Sequence, residues 1–232
     1  MLPKNVVNIN KFDFLFKIYI HQKYINMSVV FLDFETSGFN PYHDDIIEIA
    51  IKLMNSDIYF STLVHPQSNE CISQQITAVT GISNKLLHDE GVAWETAYTE
   101  FNNKLKEIIK TSPDGKLYIV AHNGETFDFL FLKRIFNDLN KLNIKTVNQK
   151  NIVFIDSLLF ARRLFKRVSY KQESLCQTYN INTKGNHRAL NDVRSLEELY
   201  TKLCEILNKE LNSRRNVLEN PQMIYDYIHF KI

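Results

Sequence analysis

Residues 28–34 read SVVFLDF, and Glu35 follows directly, so two acids stand at the end of an apolar run. The run is apolar on both alternating faces, which is typical of a central strand covered by helices on both sides. Side chains two positions apart on a strand share a face, so Asp33 and Glu35 stand side by side. Either both acids are simply solvated at a strand end, or they bind a divalent cation such as Mg²⁺ or Mn²⁺.

The stretches that follow this run predict the fold class. Ile46–Met54 and Ile58–Val64 read as the two strands of a hairpin, after which buried strands alternate with amphipathic helices. We predict further strands at Leu117–Ala121 and Ile152–Ile155, and helices at Ala93–Lys110, at Phe127–Leu142, from Ser157, from Gln172 and at Ala189–Leu207. This order predicts an α/β fold with a mixed five-stranded sheet and helices on both faces.

Composition restricts the class of protein. The chain has 232 residues, of which 44% are hydrophobic, enough for one large domain with a substantial core. It has no apolar run of about 18 residues, so we expect no transmembrane helix and no membrane partner. The net charge is only +2, so nucleic acid would be bound by a local basic patch. Three widely separated cysteines indicate reduced thiols and an intracellular protein.

We divide the chain into three parts. Residues 1–27 form an N-terminal extension, whose apolar run Phe12–Ile20 could be an extra strand or helix at a sheet edge. Met27 directly precedes the first strand, so this extension could equally be dispensable. Residues 28–210 are expected to form the main domain, and the charged, then aromatic tail 211–232 is expected to pack on it.

A second group of polar residues follows the strand predicted at Leu117–Ala121. It begins with His122 and Asn123 and ends with Asp128 at the start of a helix. Asp128 is therefore predicted to lie at the carboxyl end of the sheet, where open α/β sheets collect ligands. Taken alone, this pattern fits helix capping better, because an acid is favourable in a first helical turn.

A third group, from His187 to Asp192, opens the last long predicted helix. Asp192 lies near the N-terminus of that helix, where no basic residue except Arg188 is at helical spacing. The free pKa of a histidine, about 6.5, suits proton transfer near neutral pH. Taken alone, however, His187 could be an ordinary surface histidine.

The order and spacing of these three groups resemble the three motifs of the DEDDh 3′–5′ exonucleases, over about Val29 to Leu203. The motifs are DxE on the first strand, His-Asn-(four residues)-Asp after the fourth strand, and His-(four residues)-Asp at the last long helix. The segments Ile76–Ile82, Ile155–Leu158 and Ser174–Leu175 also resemble family segments. The resemblance implies a ribonuclease H-like fold and hydrolysis of nucleic acid from its 3′ end.

The resemblance also implies roles for single residues. Two Mg²⁺ or Mn²⁺ ions would be bound by the four acids, which are Asp33, Glu35, Asp128 and Asp192. Asp33 would bridge the two ions, and His187 would deprotonate the attacking water. His122 is the rival base, although in the family the histidine of the second motif packs or orients its loop. Contacts with the 3′-terminal nucleotide are expected from Thr36, Phe39, His122 and Asn123, with Phe39 either wedged against the base or buried in the turn.

Several alternatives concern the substrate and partners. The spacing from His122 to Asp128 resembles the three-prime repair exonucleases of animals, so we expect single-stranded DNA bound at its 3′ end. Oligoribonuclease and ribonuclease T share all three motifs, which makes RNA the alternative. A catalytically silent nucleic-acid-binding domain, a module of a polymerase assembly and self-association also remain open. A basic cluster either binds phosphates or forms a solvated helix face, and comprises Arg162, Arg163, Lys166, Arg167 and Lys171.

Overall fold

The computed structural model describes residues 27–68, 70–183, 187–211 and 217–230. Its fold is built on a central strand that has neighbouring strands on both sides. The sheet has the order β3-β2-β1-β4-β5. Its strands are β1 (Ser28–Thr36), β2 (Ile46–Leu53), β3 (Tyr59–Leu63), β4 (Leu117–Ala121) and β5 (Ile152–Asp156). β1 pairs antiparallel with β2 and parallel with β4, β2 pairs antiparallel with β3, and β4 pairs parallel with β5. The predicted mixed five-stranded sheet is confirmed.

Helices cover both faces of this sheet, as predicted. They are α1 (Gln74–Thr80), α2 (Asn84–Glu90), α3 (Trp94–Lys110), α4 (Asp128–Lys141), α5 (Ser157–Leu164), α6 (Gln172–Thr178), α7 (Ala189–Glu210) and α8 (Pro221–Phe230). In the described parts of the chain, none of these helices has the length and apolar character needed to span a membrane. The predictions for residues 1–26 lie outside the described residues.

Alternation along β1 divides the core into two layers. Leu32 and Phe34 pack on the face covered by α3 and α4, whereas Phe31 packs on the face covered by α5 and α7. Burial on both faces explains why the strand is an almost continuous apolar run. Asp33 and Glu35 continue the series of Phe31, so they share the face on which α7 lies.

The C-terminal segment packs on the α7 face. Ile224 and Ile228 of α8 are buried in the same core layer as Phe31. Arg163 of α5 donates from Nε and Nη2 to the carbonyl oxygen of Ile228, at 3.1 and 2.9 Å. Arg163 therefore binds the end of α8. Its guanidinium is used within the fold, which corrects its grouping with the basic residues that could bind phosphates.

A change of register ends the pairing of β1 with β2. Glu35 lies opposite Glu48, whereas Thr36 lies opposite Ile46, so Ile47 is an extra residue in β2. The Ile47 side chain is buried in a separate small cluster with Leu63. Such β-bulges bend a strand pair and are frequent next to functional sites.

Phe101 of α3 allows the contribution of core packing to stability to be tested. The Phe101 ring is fully buried, and its centroid lies 6.2 Å from those of both Phe34 and Phe60. We expect Phe101→Ala to lower the free energy of unfolding by about 3–5 kcal/mol, because it leaves a cavity among rings. Urea unfolding measures this loss. Tyr42→Ala, at a ring that is 83% exposed, is the control and should change stability by less than about 0.5 kcal/mol.

Candidate active site

Three carboxylates meet at the carboxyl end of β1. One oxygen each from Asp33, Glu35 and Asp192 lies within 4.8 Å of the other two. β1 supplies the first two side chains, and the first turn of α7 supplies Asp192. All three residues are half-buried. Their oxygens are close to the separation found around a single small cation, for which metal–oxygen distances are about 2.1 Å.

Asp128 reaches the same place from the other side of the sheet. It is the first residue of α4 and is buried, and its Oδ1 accepts a hydrogen bond of 3.2 Å from the backbone N–H of Phe34. Since Phe34 lies between Asp33 and Glu35 in the chain, this bond fixes Asp128 beside them. The structure therefore brings together the four acids predicted from the sequence.

Burial raises the pKa values of all four carboxyl groups, and nearby acids raise them further. Burial first, and then the neighbouring acids, raise the pKa of Glu35 to about 8. Burial raises the pKa of Asp128 to about 7, against the opposing hydrogen bond from Phe34. The pKa of Asp33 is raised well above its ordinary value by burial and then by the Asp128 charge, and burial also raises that of Asp192.

The chemistry of these donors fits a divalent cation. Four acids that repel one another at neutral pH are stabilised when a positive charge lies between them. Carboxylate oxygens are the hard ligands that Mg²⁺ and Mn²⁺ prefer. The residues present thus fit the metal that the sequence predicts.

His187 lies at the entrance to α7, beside Asp192. Its side chain is exposed, and its backbone N–H donates a hydrogen bond of 2.8 Å to Asp192 Oδ2. Its φ of +68° is in the left-handed region, which few residues other than glycine and asparagine occupy.

An ion pair next to His187 was not found by sequence reasoning. Arg188 donates from Nη2 and Nε to the carboxylate of Glu48 at 2.9 and 3.2 Å, and the N–H of Ala189 donates to Glu48 Oε2 at 2.9 Å. The Glu48 side chain is only 3% exposed. The available signal was a glutamate inside the otherwise apolar strand IIEIA.

His122 is engaged at both ring nitrogens. Nε2 lies 2.7 Å from the carbonyl oxygen of Tyr170, and Nδ1 lies 2.8 Å from Ser157 Oγ. A carbonyl only accepts, so Nε2 carries the proton and donates, and Nδ1 accepts from the serine hydroxyl. Burial also lowers the pKa of His122, which favours this neutral ring. This geometry favours the orienting role of His122 over the predicted substrate contact and over a base.

Asp156 holds the loop that carries Asn123. Its Oδ1 accepts from the backbone N–H of Asn123 at 3.1 Å, and its Oδ2 accepts from that of Glu125 at 3.0 Å. The same Oδ1 caps α5 by accepting from Leu158 N at 2.9 Å. Asn123 itself is exposed, with a φ of +66°. No local pattern in the sequence around Asp156 predicts this role.

The turn after β1 carries the two other predicted substrate contacts. Thr36 is buried, and its Oγ1 donates to the carbonyl oxygen of Gly38. A Cβ at Gly38 would lie 2.3 Å from Asp44 Oδ2, so any larger residue there would displace the Asp44 carboxylate. The Phe39 ring is 85% exposed, with its centroid 6.3 Å from that of Phe127. The alternative of a buried turn aromatic is therefore wrong.

The basic cluster lies mostly on the loop 165–171 rather than on a helix face. The Phe165 and Tyr170 rings are parallel at 6.5 Å, with the guanidinium of Arg162 over Tyr170 and that of Arg167 over Phe165. The carbonyl of Tyr170 receives the His122 hydrogen bond, and Gln172 Nε2 donates to Asp192 O at 3.0 Å. The loop is thus fixed beside both the second and the third motif.

A family model and several curated proteins match this chain. The RNase_T family model, described as an exonuclease, matches residues 30–200. The PolC-type DNA polymerase III of Thermotoga petrophila is 30% identical over 209 residues, 89% of this chain but only 14% of that protein. The chloroplastic/mitochondrial exonuclease DPD1 of Arabidopsis thaliana is 30% identical over 80% of this chain and 59% of its own. The DNA polymerase III subunit epsilon of Rickettsia typhi is 29% identical over 75% and 72%.

Solved structures share the fold. Escherichia coli exonuclease I, in a zinc-bound complex with single-stranded DNA, superposes with a TM-score of 0.61 at 16% identity. The match covers 87% of this chain and 42% of that one. A complex of the same enzyme with a dA16 oligonucleotide gives a TM-score of 0.60. The mixed sheet and its helices thus have the architecture of an exonuclease domain.

The acid cluster predicts an unusual dependence of stability on pH. Without divalent cations, the free energy of unfolding should fall as pH rises from about 5 to about 8. Unfolded carboxyls ionise near pH 4, whereas folded Glu35 and Asp128 keep their protons to about 8 and 7, so the folded state binds more protons across this range. A pKa difference of one is worth about 1.4 kcal/mol, so we expect a loss above that amount.

Urea unfolding in EDTA at pH 5 and pH 8 measures this loss. Glu35→Gln should reduce the dependence, because it removes one of the repelling charges, whereas Asp57→Asn in the exposed hairpin turn should not. Added Mg²⁺ should restore stability at pH 8, since it binds only the folded cluster. Equal stability at the two pH values in EDTA would contradict the interpretation.

Proposed function

Because the chain belongs to the RNase T family of exonucleases, we propose that it hydrolyses DNA from the 3′ end and releases nucleoside 5′-monophosphates. Family membership also confirms the resemblance inferred from the three motifs. The observation that carries the proposal is the convergence of four acids from three separate elements, beside an exposed histidine. We propose single-stranded DNA as the substrate, supported by the exonuclease I complex that shares this fold.

The four acids would hold the divalent cations. Asp33 lies beside both Glu35 and Asp128, so it would be the ligand shared by two ions. Asp192 would complete the site from α7. When bound, the ions would neutralise charge on the attacking and leaving oxygens of the phosphodiester. The chain itself contributes the fixed positions of these carboxylates, held by β1 and by the Phe34–Asp128 hydrogen bond.

His187 would act as the general base. Its exposed imidazole can accept the proton of the attacking water on one ring nitrogen. The nearby charge of Asp192 would stabilise the imidazolium that forms. Because the ring is exposed, the proton can then pass to solvent.

Two exposed features would bind the DNA strand. The Phe39 ring is free to stack on the terminal base, since an aromatic face stacks on any base. Arg162, Lys166, Arg167 and Lys171 are exposed beside the site and would contact backbone phosphates. Thr36 would contribute through the backbone of its turn, because its hydroxyl already donates to Gly38.

RNA is the alternative substrate, and association with a polymerase stays a prediction. This chain spans only 14% of the first PolC-type relatives, so the activities of those whole proteins do not transfer to it.

A gel assay with labelled oligonucleotides tests the proposal. Single-stranded DNA, duplex DNA and RNA of one sequence, labelled at either end, are incubated with Mg²⁺, Mn²⁺ or EDTA. We expect 5′-labelled single-stranded DNA to shorten stepwise with metal and not with EDTA. His187→Ala should lower kcat by roughly 10²–10⁴-fold, and Asp33→Asn should lower it further, since it removes the shared ligand.

Two controls make this assay specific. Asp57→Asn, an exposed acid in the hairpin turn, should retain full activity. His122→Ala should keep the rise of kcat with pH in the neutral range, which His187→Ala should lose. Near-wild-type nuclease activity of Asp33→Asn would falsify the proposal. Faster degradation of RNA than of DNA would identify RNA as the substrate.

The loop 165–171 gives an independent prediction. Lys166→Glu combined with Arg167→Glu should weaken DNA binding and reduce the salt dependence of the affinity, by a slope of about 0.7 for each lost phosphate contact on a single strand. Fluorescence anisotropy with Asp33→Asn protein at several salt concentrations measures the slope. Lys106→Glu with Lys110→Glu on α3, across the sheet, is the matched control. Equal slopes for both double variants would exclude this loop from DNA binding.

A further inference from the structure

We propose that Glu48 and Arg188 are positioning residues for His187, because their ion pair fixes the backbone from which the imidazole projects. The inference rests on the proposed function, since it assigns the pair a task in that reaction. Neither residue belongs to the four acids, and neither was assigned a role from the sequence.

The ion pair between Arg188 and Glu48 holds the N-terminus of α7 against β2. Arg188 donates from Nη2 to Glu48 Oε1 and from Nε to both carboxylate oxygens, and the Ala189 N–H donates to Glu48 Oε2. Glu48 is almost fully buried, whereas the Arg188 side chain is 43% exposed. Both oxygens of Glu48 are thereby engaged, although it lies directly opposite Glu35 in the sheet. Glu48 therefore stands next to the acid cluster as a structural anchor rather than as a ligand.

His187 lies between two anchors. On one side its own N–H is bound by Asp192, and on the other side Arg188 and Ala189 are bound by Glu48. Its φ of +68° is in the left-handed region, which is strained for an L-residue. Such a conformation persists only when its surroundings enforce it. Loss of the clamp would let the backbone relax and move the imidazole away from the water it deprotonates.

A second ion pair provides a matched control. Lys52 and Glu197 also join β2 to α7, four residues further along the same face of β2. Glu197 accepts in addition from the N–H of Asn55. Both pairs dock the helix on the strand, but only the pair of Glu48 adjoins the residue proposed as the base. Any effect of helix docking alone should therefore appear equally for both pairs.

Steady-state kinetics on single-stranded DNA tests the clamp. We expect Glu48→Gln and Arg188→Met each to lower kcat by about 10- to 100-fold, the effect of a displacement near 1 Å, with KM and the half-saturating Mg²⁺ concentration changed by less than about twofold. Arg188→Lys should recover part of the loss. Glu197→Gln should keep kcat. Because Arg188→Met leaves a buried charge unpaired, Glu48→Gln carries the test if that variant does not fold.

A double-mutant cycle separates positioning from general damage. If the clamp acts through His187, Glu48→Gln in the His187→Ala background should lower kcat by less than about twofold, since residues that act as a unit are not additive. A full 10- to 100-fold loss in that background would overturn the inference. An equal loss in Glu197→Gln, an unchanged kcat in Glu48→Gln, or a raised Mg²⁺ requirement would also overturn it.

Failure of this inference is distinguishable from failure of the proposed function. If wild-type protein does not degrade DNA, or if His187→Ala is fully active, the proposed function fails. The positioning role of Glu48 and Arg188 then fails with it. If both behave as expected while Glu48→Gln is fully active, only the clamp is wrong.

Discussion

The removal of four carboxyl groups from water at one strand end, with repulsion from nearby acids added to it, is the constraint on which the rest of this structure depends. Asp33, Glu35, Asp128 and Asp192 all have raised pKa values, so their assembly costs folding free energy whenever they ionise. Burial of apolar side chains on both faces of β1 offsets this cost and keeps the acids together at one strand end. Other acids close by have local partners: Glu48 is paired with Arg188, and Asp156 accepts from four backbone N–H groups, two of them at the N-terminus of α5.

Most of the sheet and the positions of the four acids could be predicted because they follow from local periodicity. The alternation along β1 settles which face Asp33 and Glu35 share, and the bounds of β4 were predicted as observed. The helices α1 and α2 were not predicted, since each buries only one residue, Thr80 or Leu87, and so shows little apolar periodicity.

The parts that could not be predicted are long-range contacts. Glu48 meets Arg188 across 140 positions, and His122 meets Tyr170 across 48, so no local pattern records either pair. Arg163 was grouped with its basic neighbours because they are adjacent in sequence, whereas in the fold its guanidinium turns to the carbonyl of Ile228. Arg134 of α4 likewise donates to the carbonyls of Pro41 and Asp44, in the turn that follows Phe39, across 93 and 90 positions. Such contacts depend on how elements pack, and packing is a property of the whole chain.

The acids and the groups that would bind substrate stand on different kinds of structure. The acids lie on β1 and at the first turns of α4 and α7, which are fixed by backbone hydrogen bonds and by the core. Phe39 and the loop 165–171 lie on connecting segments, which tolerate sequence change far better than a buried strand does. If the proposed function holds, exposed positions of these two segments could change and alter substrate binding, while β1 and the two helix N-termini keep the four acids in place.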